Sequence, residues 1–283
     1  MPTVSQIRGL TEADLGFAGQ VREIAGWNQL PVDWRRFIDL EPDGCFLAEV
    51  DGKPAGTATT TCYDGVLAWI GMVLVHPDFR RRGIGTELLE HCIRHLREKR
   101  SIPSVKLDAT PEGRPLYEKL GFRAEWGLRR WLSKSRNAMD ETAGEVEKFP
   151  LTLSTAALAM DRDIFGADRT ALLQSLAAGA LNGVDLSENG YGLCRDGARA
   201  IYLGPVAANE PAQGESIIRE LIGRAPADRW IFWDIPDDNR PAVSLAEALG
   251  FEPVRVLTRM WLGENDSPGD PARMWGLADP AFG

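Results

Sequence analysis

Along the chain one order of hydrophobic and polar positions is written twice, roughly 130 residues apart. In the first writing Ala68-Trp69-Ile70-Gly71-Met72-Val73-Leu74-Val75 is an unbroken apolar run, which predicts a central strand covered on both faces. Leu88, Leu89, Cys92, Ile93 and Leu96 then share one stripe at helical spacing, with Glu87, Glu90, His91, Arg94 and Glu98 off it. That pattern predicts a helix laying one face on a sheet. In the second writing Ala200-Ile201-Tyr202-Leu203-Gly204-Pro205-Val206-Ala207-Ala208 precedes Ile217, Ile218, Leu221, Ile222 and Ala225 at the same spacing. Pro205 cannot donate to a strand ladder, so its run is expected to bulge or to lie at an edge.

The correspondence continues downstream. Val105 to Pro115 and Ile231 to Pro241 each read as a short strand, a turn and a helix opened by proline. Both helices close on the same triplet, Leu120-Gly121-Phe122 and Leu249-Gly250-Phe251, where glycine takes the left-handed conformation that ends a helix. Upstream, Phe46 to Val50 before Asp51-Gly52 matches Tyr191 to Arg195 before Asp196-Gly197 as a pair of hairpins. The chain therefore reads as a tandem duplication of an α/β unit with a mixed sheet. The first unit is placed at 1–135, a polar connector at 136–148 and the second unit at 149–283; residues 264–283 carry no pattern that predicts an element.

The 283 residues are 44% hydrophobic, enough to bury a core in each unit. No run of eighteen apolar residues occurs and Met1 to Leu10 is not a basic-then-apolar leader, so a soluble, cytoplasmic protein with no membrane partner is expected. Cys45, Cys62, Cys92 and Cys194 are scattered and read as reduced, mostly buried thiols. Net charge is −9 and unevenly placed: residues 1–148 hold 21 Lys+Arg against 22 Asp+Glu, and 149–283 hold 11 against 19. This balance argues against nucleic-acid binding. The acidity of the second unit suits either a cationic acceptor beside it or, as the favoured reading, a surface kept soluble. His91 and His95 lie four apart without an HExxH pattern and read as a solvated face; no metal is expected.

The chemistry concentrates in His76-Pro77-Asp78-Phe79-Arg80-Arg81-Arg82-Gly83-Ile84-Gly85-Thr86, between the buried strand and the amphipathic helix. A helix start offers unpaired N–H groups and the positive end of the macrodipole, which together hold a phosphate or pyrophosphate. Gly83 and Gly85 let such a group approach the backbone. The three arginines have acidic neighbours and no interleaved aromatics, which favours a phosphate-bearing cofactor over a nucleic acid.

Arg80-x-x-Gly83-x-Gly85, after a strand ending Val73-Leu74-Val75, resembles the pyrophosphate-binding motif of the GNAT family of N-acetyltransferases. Leu116-Tyr117-Glu118-Lys119-Leu120-Gly121-Phe122 resembles a second signature of that family, and Ile7-Arg8-x-Leu10-Thr11-x-x-Asp14 its opening strand and helix. The resemblance implies the acyl-CoA N-acyltransferase fold, acetyl-CoA as co-substrate, and a small-molecule or peptide amine as acceptor. It further implies that the backbone of Val73, Leu74 and Val75 holds the pantetheine and acetyl carbonyl, and that Arg80 to Thr86 surround the pyrophosphate. Tyr117 would face the thioester sulfur as general acid. Amine attack expels a thiolate, which a positioned phenol can protonate, and N–H groups near Val75 would stabilise the oxyanion. The amine must itself lose a proton; Glu49, Asp108 and Glu112 lie near predicted strand ends as bases, with no choice among them. Gly26-Trp27-Asn28-Gln29 falls where the family places acceptor-covering helices, and is read as packing or as acceptor contact.

The second unit lacks this chemistry. With Leu88-Leu89 aligned on Ile217-Ile218, its loop Asn209 to Ser216 is four residues short and holds no Arg-x-x-Gly-x-Gly; Glu210 and Glu215 would repel pyrophosphate. Ala246 stands where the first unit has Tyr117. The arrangement resembles bacterial tandem-GNAT proteins with a divergent C-terminal domain, and the second unit is expected to shape or cover the acceptor pocket. Two alternatives stay open: a non-catalytic acyl-CoA-binding sensor, and an acyltransferase for longer acyl-CoA. Homo-oligomerisation is compatible with all of this.

Overall fold

The computed structural model describes residues 6–133 and 151–283. The expected connector, 136–148, lies outside the described residues. The first half runs β1 (Gln6–Gly9), α1 (Leu15–Ile24), α2 (Pro31–Leu40), β2 (Cys45–Val50), β3 (Lys53–Tyr63), β4 (Leu67–Val75), α3 (Ile84–Arg94), β5 (Ser104–Ala109), α4 (Arg114–Lys119) and β6 (Arg123–Ser133). The second repeats that order after its first strand: α5 (Thr155–Phe165), α6 (Thr170–Ala178), β7 (Asn182–Asp185), β8 (Gly190–Arg195), β9 (Ile201–Ala208), α7 (Pro211–Gly223), β10 (Ile231–Pro236), α8 (Arg240–Ala248) and β11 (Glu252–Gly263). A last short strand, β12 (Met274–Gly276), follows. The expected duplicated α/β architecture with a mixed sheet is observed.

The halves share one sheet by exchanging their final strands. Its order is β1-β2-β3-β4-β5-β11-β6-β10-β9-β8-β7, with β12 on β9. β11 thus completes the first half by pairing antiparallel to β5, and β6 completes the second by pairing antiparallel to β10. Each exchanged strand carries a buried arginine that finds its carboxylate in the other half. Arg130 donates from Nε and Nη2 to Asp234 at 2.8 and 2.7 Å, and Arg259 to Asp108 at 2.9 and 3.0 Å. The two bridges are duplicates of each other, since Asp108 aligns with Asp234 and Arg130 with Arg259. Arg259 is also held between the rings of Trp69 and Trp126, at 4.4 and 4.1 Å.

On one face of the sheet, α3 packs over β3 and β4, and α7 over β8 and β9, each through the predicted stripe. On the other, α1, α2, α5 and α6 bury a single core drawn from both halves, including Trp34, Phe37, Phe165 and Leu173. Gly121 and Gly250 close α4 and α8 with φ of 92° and 78°, the left-handed caps expected.

Two expectations are corrected. The Asp196-Gly197 turn joins β8 to β9, so its counterpart is Asp64-Gly65 between β3 and β4, not Asp51-Gly52 between β2 and β3. The first half uses Asp-Gly twice, and pattern alone does not say which use was kept. His91 and His95 are not a solvated face: both stand edge-on to Phe46, with ring centroids 4.5 and 5.3 Å away, and His95 is buried. A π-helical turn, His95–Lys99, ends α3 and swings His95 toward the sheet. All four cysteines are free, with Cys45, Cys92 and Cys194 buried. Among the described residues no helix is long and apolar enough to cross a membrane.

Candidate active site

The site begins with a fault in β4. Thr59 pairs with Gly71 but Thr57 with Leu74, so Met72 and Val73 both stand opposite Ala58 in a bulge. Met72 takes φ of 49°, and the Thr57 hydroxyl donates to its carbonyl at 2.9 Å, fixing the distortion. β4 and β5 run parallel and pair only from Leu67–Ser104 to Trp69–Lys106. Beyond that point they diverge, and a wedge opens in the middle of the sheet.

Past the end of β4 the chain makes a short turn, Pro77–Phe79, and then the expected loop. Arg81 and Gly83 adopt φ of 61° and 85°, and Gly83 is the N-cap of α3 with no side-chain cap bond. The N–H groups of Ile84, Gly85 and Thr86 therefore face outward without intrahelical acceptors, at the positive end of the helix. Arg80 Nε donates to the Val75 carbonyl at 3.0 Å, tying loop to strand end. Arg82 turns back, donating to the Asp78 carbonyl at 2.8 Å with its guanidinium 5.5 Å from the Phe79 ring.

Strand end, loop and helix start border one cleft of about 1020 Å³, and every residue of the expected cofactor-binding set lines it except Arg82. Tyr117 on α4 faces the same cleft, beside Val254, Arg255 and Val256 delivered by β11 from the other half. A smaller chamber of about 200 Å³ fills the wedge itself, bounded among others by Gly71, Leu107, Asp108, Leu257 and Ala281. Cleft and chamber meet at Trp27, Val73, Thr110, Gly113, Tyr117 and Arg255.

The Tyr117 hydroxyl has no protein hydrogen-bond partner among the described residues, and burial pushes it up to about 12. It therefore carries its proton at neutral pH and is free to donate it. Gly113 makes room for the ring: a Cβ there would stand 3.0 Å from a Tyr117 ring carbon. The three carboxylates weighed as bases separate clearly. Asp108 is consumed by Arg259, and Glu49 accepts from Arg8 at 2.9 Å. Glu112 lines the cleft and forms no ion pair among the described residues. In Gly26 to Gln29 the roles divide as well. Trp27 borders cleft and chamber and Gln29 borders the chamber, and the two amides also bind the other half: Asn28 Oδ1 accepts from Arg199 and Ala200 N–H at 2.8 and 3.0 Å, and Gln29 Nε2 donates to Asp279 at 2.8 Å.

The second half repeats the fault and then fills it. Cys194 pairs with Leu203 and Gly192 with Val206, so Gly204 and Pro205, joined by a cis peptide, form the expected bulge on β9. β9 and β10 diverge after Leu203 and Trp233. β12 lies in that wedge, pairing with Val206 and Ala207, and Leu277 N–H donates to the Asp234 carbonyl at 3.0 Å. Gly214, the counterpart of Gly85, is covered by Trp275, whose ring a Cβ there would meet at 2.0 Å. Glu210 and Gln213 close the start of α7 in a capping box, and Ala246 is buried in the core. The same tail then walls the first wedge. Pro280 and Phe282 carbonyls accept from Trp69 Nε1 and the Tyr63 hydroxyl at 2.9 and 2.7 Å, and Ala281 seals the approach to Gly71. Sequence reasoning found no element in this segment because its order comes from two partners far away in the chain.

Comparison with known proteins agrees with this layout. Residues 18–122 match the acetyltransferase (GNAT) family model, and residues 157–276 match an acetyltransferase (GNAT) domain model. Holothin acyltransferase of Pseudoalteromonas is 26% identical, over 89% of this chain and 85% of that protein. A Pyrococcus horikoshii protein provisionally described as an acetyltransferase superposes with a TM-score of 0.79 at 26% identity, covering 98% of this chain and 95% of that one. A tandem GNAT protein from the clavulanic acid biosynthesis pathway, 17% identical, shares the fold with a TM-score of 0.60 over 91% of this chain and 98% of its own.

Proposed function

The chain belongs to the GNAT acetyltransferase superfamily, with two such domains in tandem, and from that membership we propose that it transfers acetyl from acetyl-CoA to a primary amine in the cleft of its first half. The observation that carries this reading is the contrast between the halves. One wedge is open beside an uncapped helix start; the other is filled by β12 beside a capped one. The N–H groups that open α3, with Arg80 and Arg81, would hold the pyrophosphate, and the bulged end of β4 would pair with the pantetheine.

In the chemistry proposed, the amine nitrogen attacks the thioester carbonyl, forming the C–N bond. Collapse of the tetrahedral intermediate breaks the C–S bond, and Tyr117 gives its proton to the departing thiolate. The proton lost by the amine leaves through solvent or a base such as Glu112 and restores the phenol. Backbone N–H groups at the bulge of Met72 and Val73 would supply the donors that the oxyanion needs. The relative named for acyl transfer supports testing longer acyl-CoA donors in the same assay.

Calorimetry with acetyl-CoA tests the placement. One molecule is expected per wild-type chain and none for the double variant Gly83→Glu, Gly85→Glu. Binding that survives the double substitution, or two molecules per wild-type chain, would overturn it.

A further inference from the structure

Arg255 stands at the junction of cleft and chamber with no ion pair among the described residues. On β11, Pro253 pairs with Trp131 and Arg255 with Arg130, so Val254 is an extra residue, and the bulge re-aims the strand at this point. Arg255 and Arg130 therefore stand directly opposite one another, a like-charge pair that costs stability across two strands. Arg130 is neutralised by its two bonds to Asp234. Arg255 is half-buried and has no ion pair or hydrogen bond among the described residues.

The neighbouring carboxylates do not make up the deficit. Asp108 is taken by Arg259 and Asp234 by Arg130, and Asp279 lies buried against Gln29. Glu112, on the cleft side, favours the charge on Arg255 without forming an ion pair with it, and Arg199 adds opposing positive charge from the second half. Burial, above all, and then Arg130 work against the charge on Arg255, and the more distant help of Asp234 and Glu112 does not offset them; a guanidinium nevertheless stays protonated in proteins. Arg80 and Arg81 of the loop border the cleft alone, whereas Arg255 borders the chamber as well. An anion bound by Arg255 can therefore lie in the chamber as well as in the cleft.

Building on the acetyltransferase reading, we infer that Arg255 binds a carboxylate of the acceptor, so that the acceptor is an amine bearing a carboxylate, such as an amino acid or short peptide. A planar carboxylate matches the guanidinium fork. The same cation also disfavours the ammonium form of the amine and so promotes the neutral nucleophile.

Product analogues test this without knowledge of the acceptor. N-acetylglycine, N-acetylalanine and N-acetylphenylalanine, each against its uncharged amide, are titrated into coenzyme A-saturated wild type, Arg255→Met and Arg255→Lys. At least one acid is expected to bind wild type about tenfold or more tighter than its amide, a charged hydrogen bond being worth about 1.5–3 kcal/mol. The preference should vanish in Arg255→Met and partly return in Arg255→Lys. The Tm of Arg255→Met should hold or rise, because a like-charge pair is removed; a purely structural arginine would lower it. Equal binding of acids and amides, binding of neither, or a preference that survives Arg255→Met overturns the inference. Failure of coenzyme A itself to bind would instead count against the acetyltransferase reading, and the acid–amide comparison is then made on the protein alone.

Discussion

Asp108 sits at the end of a strand beside the cleft, which is where a general base belongs, and yet its charge is spent on Arg259. The sequence already held the clue: the second half, which lacks the Arg-x-x-Gly-x-Gly loop, keeps the equivalent Asp234, so the residue serves what the halves have in common. Removing one member of a buried pair strands the other, and Arg259→Met is expected to cost about 3–5 kcal/mol, read as a lowered urea midpoint. Tyr117 presents the opposite case, a hydroxyl with no hydrogen-bond partner among the described residues. Tyr117→Phe should lower kcat by about 10²- to 10⁴-fold and leave the Kd for acetyl-CoA nearly unchanged. With the phenol raised to about 12, wild-type kcat should show no loss of the acid near pH 10, where an ordinary tyrosine would ionise. Asp279 titrates against the fold. Burial lifts it from 3.8 to about 6, so between those values the folded chain holds a proton that the unfolded chain releases. Its contribution to stability is therefore full below pH 4 and is lost as pH rises through 6. Asp279→Asn should stabilise the chain at pH 7–8 relative to pH 4 by up to about 3 kcal/mol, aided by the Gln29 Oε1 atom that is now buried without a donor. Unfolding midpoints of both proteins at the two pH values decide it.

At the scale of elements, the sequence told most where structure is local. The stripes of α3 and α7, the glycine caps of α4 and α8 and the bulge at Pro205 depend on neighbours within a few residues, and all were legible. The strand exchange was not, because alternation along β6 or β11 says which face is buried and nothing about which strand lies alongside. For the same reason Arg255 went unnoticed: no local signal distinguishes an arginine aimed at another half's cleft from one on a surface. β12 is the extreme instance, three residues whose strand state exists only because a wedge was there to receive them. Trp275 anchors it over Gly214, so Trp275→Ala should cost about 3–5 kcal/mol as an unfilled cavity, visible as a lower Tm. It should not create a second cofactor site, since Glu210 and Gln213 still close the start of α7. Calorimetric stoichiometry staying at one acetyl-CoA per chain checks that half of the expectation.

For the whole molecule, exchange makes each half an incomplete fold. Without β11, β5, central in the shared sheet, becomes an open edge of the first half and Asp108 loses its arginine; without β6, β10 and Asp234 suffer the same loss. The shared core under α1, α2, α5 and α6 would be split down its middle. A second half whose own wedge is filled is thus still required, for it supplies the strand that walls the chamber in the first wedge and the tail that seals it. Two duplicated domains linked only by a tether would unfold independently, in two steps. Here one transition is expected in urea, with tryptophan fluorescence and acetyl-CoA binding lost at the same midpoint. Expressed alone, residues 1–148 should be aggregation-prone, because a long central edge is exposed, and should bind no acetyl-CoA; co-expression with 149–283 should restore both solubility and binding. Two separated transitions, or a soluble first half that binds the cofactor alone, would mean that the exchanged strands decorate two self-sufficient domains, and the role given to β11 in shaping the acceptor site would fall with them.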